Sequence, residues 1–374
     1  MSTIESVQAR TVAVPLDEPT AFSTRLVTER HYTLVRIRTT DGVQGIGFCY
    51  AGDSGGQVVS GSVRELIAPV LEGEASHRVR GLWDMVHQAT LLQGRAGTTM
   101  RALSAADIAL WDANARAVNL PLWQYLGAVA ETTVPAYASG GYYRDGKTPQ
   151  DLAQEVAGYV ELGFDAVKIK VGRASISQDA ERIAAARDAI GPDVKLMLDA
   201  NNAWGDLPSA LAALEVWKES NPFWIEEPFA PDAIHNHARL AQKTSIAVAT
   251  GEIEAGLARH VDLLKSEAAI ILQTDAAVCG GITEFQAIAA TARSFGVEMW
   301  PHWFHDLHVH LVASTSNAGA VEFFADSSVL NFRRLITEQL EVSVDGSLVL
   351  PHRPGLGFDF DESVVGKFAL DDWA

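Results

Sequence analysis

A series of short apolar, strand-like segments in this chain each end in a side chain that could carry acid–base or metal chemistry. Lys168 and Lys170 stand two apart in FDAVKIKVG. Asp199 closes LMLD, Glu226 is the first acid of FWIEEP, Glu252 ends VATGE, Asp275 ends LQTD, and His302 ends MWPH. From Asp199 onward the separations are 27, 26, 23 and 27 residues. A strand–helix unit of a parallel barrel needs about 30 residues, so each unit delivers one polar side chain to the same end. Three carboxylates gathered there repel one another unless a cation neutralises them. Hard oxygen donors of this kind suit Mg²⁺, with positions left for water or substrate. Lys168 and Lys170 point the same way from their strand. Mutual repulsion and desolvation are expected to lower a lysine there toward the range of a useful base. Asp275 beside His302 would fix the imidazole tautomer and raise its basicity.

Each residue also has a plainer reading. One acid at a strand end is commonly a helix cap, and Lys-x-Lys is common on surfaces. The register of the acids and the apolar surroundings AVKIKV argue against both, because a buried strand tolerates lysine poorly unless it is paired or functional. Glu226 and Glu227 would alternate across a strand, so only one can face the metal. His305, His308 and His310 follow His302 in HWFHDLHVH. No HExxH is present and no cysteine ligands accompany them, so a zinc site is not indicated. Glu322, 20 residues after His302, is either a protonated donor to a developing oxyanion or an ordinary strand-end acid.

The elements that must position these residues begin near residue 133. VPAYASG, AVKIKVG, VKLMLDAN, PFWIEEP, IAVATGE, AIILQTDA, VEMWPHWF and AVEFF read as eight strands, with helical runs between most of them. Thr148-Pro149 reads as a cap followed by a first-turn proline. Gly191 and Gly296 stand where helix C-termini are expected. The first 125 or so residues differ. Two strand-like stretches joined at Asp41-Gly42 precede TTMRALSAADIALWDANARAVN, in which Ser104 is the expected cap and Ile108, Trp111 and Ala115 mark one helix face. The tail carries a second Asp-Gly turn and a Pro/Gly-rich stretch. The pattern predicts an α/β protein with a (β/α)7–8 barrel of the TIM type and an α+β capping domain. Residues 1–125 form the cap, 126–345 the barrel, and 346–374 a tail that packs back on the cap.

Composition narrows the partners. The 374 residues carry a formal charge of −18, which disfavours nucleic acid. Two cysteines without a pairing pattern fit a reducing compartment. No apolar stretch approaches bilayer length and MSTIESVQAR lacks an apolar leader, so a cytoplasmic protein with no membrane partner is expected.

The order of these motifs, from SAADIALWDANARAVNLPLWQYLGA through KIK, LMLDANN, WIEEP, ATGE, CGGITE, PHWF and VEFF to PGLGF, resembles the mandelate racemase subgroup of the enolase superfamily. The resemblance runs over nearly the whole chain. It implies Asp199, Glu226 and Glu252 as Mg²⁺ ligands, settling Glu226 over Glu227. It implies Lys170 as one base tuned by Lys168, His302 backed by Asp275 as the other base or acid, and Glu322 as the electrophilic donor. It also implies capping loops at EPTAFSTRLVTER and CYAGDSGG that choose the substrate, with Arg25 and Asn201 as candidate substrate-binding residues, and commonly a homo-oligomer. The activity implied is dehydration of a small carboxylate substrate, an aldonate or aldarate, to a 2-keto-3-deoxy acid. Racemisation or epimerisation of a 2-hydroxy acid and cycloisomerisation of a sugar lactone are the alternatives on the same site.

Overall fold

The computed structural model describes residues 2–326 and 328–374. Three antiparallel strands, β1 (Ile4–Phe22), β2 (Arg25–Thr39) and β3 (Gln44–Gly52), begin the chain. The β2–β3 turn falls at Asp41-Gly42, where Gly42 takes a φ of +86° that a side chain would resist. The helix Thr98–Ala117 packs across this sheet. Two sheet glycines make that close approach possible. A Cβ on Gly45 or Gly47 would stand 2.1 or 2.0 Å from helix carbonyls.

Two local expectations fail here. The stretch EPTAFSTRLVTER is no loop: β1 and β2 continue through it to a tight turn at Ser23-Thr24, after a register shift between Pro15 and Thr20. Ser104 is no cap either. It lies inside the helix and donates its hydroxyl to the Met100 carbonyl, an i−4 bond open to any buried helical serine.

A two-residue strand, β4 (Thr133–Val134), leads into eight parallel strands. These are β5 (Ala136–Gly140), β6 (Ala166–Lys170), β7 (Lys195–Asp199), β8 (Trp224–Glu226), β9 (Ala247–Thr250), β10 (Ile271–Leu272), β11 (Glu298–Met299) and β12 (Val321–Phe323). They pair in the order β11-β10-β9-β8-β7-β6-β5-β12. Met299 of β11 bridges Ala318, just ahead of β12, and closes the ring. Each of the first seven is followed by a helix, and β12 by a single 3₁₀ turn (Asn331–Leu335). Local signals set these helices. Thr148 and Asp151 form a reciprocal capping box ahead of Pro149, and Ser175 with Gln178 does the same for the next helix.

Inside the barrel the side chains stack in layers. The lower layer is apolar: Tyr137, Met197, Trp224, Ile271 and Trp300 are all buried, with Trp224 edge-on to Trp300 at 5.2 Å between ring centres. The layer above it, at the C-terminal strand ends, is polar. It holds Lys168, Lys170, Asp199, Glu226 and Glu322, none more than 5% exposed.

β13 (Leu348–Val349) pairs with β4 in a separate two-stranded sheet. The last residues return to the first sheet: Ala369 bridges Val12, and the Asp371 carboxylate accepts from the Thr11 amide at 2.6 Å and meets Arg64 at 3.3 Å.

Candidate active site

Strand alternation sends Lys168 and Lys170 to the inside of β6, as their spacing requires. Lys168 Nζ lies 2.6 Å from Glu226 Oε1, 2.7 Å from Glu322 Oε1 and 3.7 Å from Asp199 Oδ2. Lys170 pairs with Asp199. The two ammonium groups thus stand among the carboxylates. Burial alone would lower both lysines, but Glu226 and Glu322 hold Lys168 far above the ordinary value, and Asp199 holds Lys170 above it. The expected depression of a lysine pKa is therefore not met. Opposite charge at contact distance outweighs desolvation and lysine–lysine repulsion.

The carboxylates divide by their access to those cations. Burial would raise Asp199, yet Lys170 and Lys168 hold it low. Burial acts the same way on Glu322, and Lys168 brings it down to about 2. Glu322 also accepts the Trp303 amide at 2.7 Å. The Lys168 ammonium beside it favours the ionised form, so of the two sequence readings the geometry favours a strand-end acceptor over a protonated donor. Glu226 and Glu252 lie well above the ordinary range, first through burial, then through Asp199 and Glu227 respectively.

Glu227 departs from expectation as well. Its φ of +40° interrupts the strand alternation immediately after Glu226. Its buried side chain consequently reaches the same cavity as Glu252, so both acids of the pair serve the barrel mouth.

Among the described residues no three His, Cys, Asp or Glu side chains are gathered as a ready metal cage; lysine ammonium groups stand between the acids. The donor set nevertheless fits a hard divalent ion. Asp199, Glu226, Glu227 and Glu252 are buried together against two lysines, and Glu252 Oε2 is buried without a hydrogen-bond partner. An oxygen-rich, net-negative cluster with an orphaned carboxylate oxygen is what such an ion satisfies.

From the other wall, His302 Nδ1 lies 3.1 Å from Asp275 Oδ2. Its Nε2 is 3.4 Å from Glu252 Oε1. Asp275 caps the turn that follows, accepting the Ala277 amide at 2.8 Å, which fixes the carboxylate. His308 lies behind this pair and accepts the Ala276 amide at 3.1 Å. His305 and His310 are buried in the following helix, and burial pushes His310 down to about 4. Of the four histidines in this segment, His302 alone lines the cavity.

That cavity, of about 170 Å³, lies between the barrel mouth and the cap and is lined by Lys170, Glu227, Glu252, Asp275 and His302 from the barrel. A larger cleft of about 650 Å³ holds Arg144, Lys147, Glu155 and Asp326, but its cations are already paired with its acids and none of the proton carriers reaches it. Asn201 lines the smaller cavity with a buried, unpartnered Oδ1. Arg25 stands exposed at its edge. From the cap Phe22, Thr24, Arg30, Tyr50 and Arg101 also reach it. Arg30 and Arg101 carry no sequence signal that separates them from surface arginines. Four of the seven non-glycine residues with positive φ among the described residues, Asn201, Asn202, Glu227 and Trp303, line this one cavity. Such strain concentrates where side chains are aimed for function.

Residues 4–127 match the mandelate racemase / muconate lactonizing enzyme N-terminal domain, and residues 151–364 the enolase C-terminal domain-like family. The chain is 34% identical over 366 residues to the L-talarate/galactarate dehydratase of Salmonella typhimurium, covering 96% of this chain and 89% of that protein. It is 31% identical to the arabinonate dehydratase of Saccharolobus solfataricus, covering 94% and 95%. The structure of L-talarate dehydratase from Polaromonas sp. JS666, complexed with Mg and L-glucarate, superposes with a TM-score of 0.90 at 33% identity, covering 100% of this chain and 99% of that one. The chain belongs to the mandelate racemase / muconate lactonizing enzyme family of the enolase superfamily.

Proposed function

We propose that this protein is a Mg²⁺-dependent dehydratase of a sugar acid, an aldonate or an aldarate. One observation carries the reading: Lys170 from the second barrel strand, and Asp275 and His302 from the ends of the sixth and seventh, enter one cavity beside a buried carboxylate cluster. Relatives at similar identity named as dehydratases of sugar acids support the choice of reaction.

Asp199, Glu226 and Glu252 would hold the ion. Bound there, Mg²⁺ supplies positive charge against the substrate carboxylate, which acidifies the neighbouring C–H. Lys170, once Asp199 is engaged elsewhere and its own proton has passed to solvent, takes the α-proton as the neutral amine. The electron pair moves into the carboxylate, giving an enediolate. His302, oriented by Asp275, gives a proton to the β-hydroxyl, which leaves as water. The resulting enol tautomerises to a 2-keto-3-deoxy acid. Lys168 stays paired with Glu226 and Glu322 and keeps positive charge beside the reacting carboxylate.

The test is a screen of aldonates and aldarates with Mg²⁺, reading release of a 2-keto-3-deoxy acid. Loss of one water per turnover is expected. No keto product from any configuration ends the dehydratase reading. Deuterium exchange at the α-carbon without loss of water would replace it with racemisation or epimerisation.

A further inference from the structure

Arg30 is an arginine buried without a counter-ion. It is 2% exposed and lies on β2, opposite Val14 of β1. Its hydrogen bond runs from Nε to the Val329 carbonyl at 3.0 Å. Among the described residues no carboxylate comes within ion-pair distance of it, and its Nη2 is buried with no partner. Its guanidinium lies over the Trp303 ring at 4.5 Å and the Tyr50 ring at 5.4 Å, and it lines the cavity that holds Lys170 and His302. A permanently charged, buried group with an orphaned donor costs stability unless something occupies that donor. Stacking on two aromatic faces fixes the plane of the guanidinium but leaves its edge unmatched.

The cavity's two ends differ in charge. The barrel end is acidic. The cap end presents Arg30, with Arg101 and Arg25 also lining it. Arg101 is committed in part, donating Nη1 to the Tyr50 carbonyl at 2.8 Å, and Arg25 is exposed. A ligand bound at the acidic end through a cation would place its far end against this basic roof.

We propose that Arg30 is the specificity residue for a second, distal carboxylate, so that the substrate is a dicarboxylic sugar acid rather than a monoacid. A planar carboxylate can take two parallel hydrogen bonds from a guanidinium edge, and a terminal hydroxymethyl cannot. The proposal rests on the sugar-acid reading above and narrows it. It also puts Arg30, held rigidly inside the protein, ahead of Arg25, the exposed candidate substrate-binding arginine of the sequence.

The test compares matched pairs that differ only at the far terminus, galactarate with galactonate, glucarate with gluconate, and the remaining configurations. Binding is measured by calorimetry with Mg²⁺ in a Lys170→Ala background, so that turnover does not intrude. The best-bound aldarate is expected to bind at least about tenfold more tightly than its aldonate, as a charge-assisted pair partly out of water predicts. In Arg30→Met that ratio falls toward one. In Arg30→Lys, which keeps charge but not the planar fork, it is intermediate. A folded Arg30→Met protein that keeps the full ratio overturns the proposal. So does the Arg30-intact protein binding every aldonate as tightly as its aldarate, a result that needs no substitution at position 30. Both outcomes are independent of the dehydratase reading. Keto-acid release with a flat binding ratio removes the subsite and keeps the reaction, and tight aldarate binding without keto-acid release does the reverse.

Discussion

Asp275 Oδ2 and His302 Nδ1 stand 3.1 Å apart, while the opposite nitrogen of the same ring faces Glu252 Oε1 at 3.4 Å. The imidazole is therefore held between an orienting carboxylate and the acidic cluster, and its tautomer decides what Nε2 can do. With one proton held on Nδ1 by Asp275, Nε2 is the nitrogen that takes up a second proton and passes it to the β-hydroxyl. Asp275→Asn should keep the cap on Ala277, since the amide oxygen still accepts that N–H, but it can stabilise the wrong tautomer. Keto-acid release is expected to fall about 10³–10⁴-fold, by analogy with other carboxylate–histidine pairs, with the unfolding midpoint moving little. A variant of full activity would remove Asp275 from the site.

Lys168 is buried among Glu226, Glu322 and Asp199. Lys168→Met removes the cation and leaves those acids facing one another. Breaking a buried pair from one side costs roughly 3–5 kcal/mol. We expect urea unfolding of the metal-free protein to show a loss of that order, partly recovered by Mg²⁺. An unchanged metal-free stability would mean that Lys168 contributes no net pairing energy.

Much of this site was legible because barrel geometry repeats. Regular spacing placed Asp199, Glu226, Glu252, Asp275 and His302 at strand ends, and the structure brings their side chains to one mouth. What escaped depends on single torsions and on long-range contacts. Alternation assigned Glu227 to the far side, and one residue at φ +40° reverses that. The protonation of Lys170 and Glu322 depends on which charges touch, and no strand pattern encodes that. Arg30 was invisible for a related reason: its burial comes from the barrel packing on β2, across nearly 300 residues to Val329.

The orphaned Glu252 Oε2 and the raised Glu226 and Glu252 carboxyls point to an excess of carboxylates that a divalent ion would offset. Mg²⁺ at about 100 times its Kd should stabilise the protein by about 2.7 kcal/mol through mass action, read as a shift in the urea midpoint that EDTA reverses. Glu252→Gln should cut that shift sharply while leaving the metal-free protein as stable as the parent or more so, because it removes an acid whose charged form burial disfavours. A wild-type midpoint indifferent to Mg²⁺ would contradict the ligand assignment.

Cap and barrel are joined at a second buried acid, distant from the chemistry in role. Asp107 of the Thr98–Ala117 helix accepts both the Thr283 hydroxyl, at 2.6 Å, and the Thr283 amide, at 2.9 Å. Gly281 is required beneath it, since a Cβ there would stand 2.3 Å from the carboxylate. Burial pushes Asp107 up to about 7 despite those hydrogen bonds. An acid whose pKa is higher when folded than when unfolded binds more protons in the folded state. Its contribution is fully present below the unfolded value, near 4, and is lost as pH rises toward 7. Between pH 5 and 8 the wild type should therefore lose about 2–3 kcal/mol from this group. Asp107→Asn cannot ionise and should lack that part of the slope, so the two proteins diverge as pH rises, with the variant gaining relative to the wild type. Urea unfolding at pH 5, 6.5 and 8 reads the difference directly. Parallel pH profiles for the two proteins would show that Asp107 is already ionised across this range and that the Thr283 donors outweigh its burial.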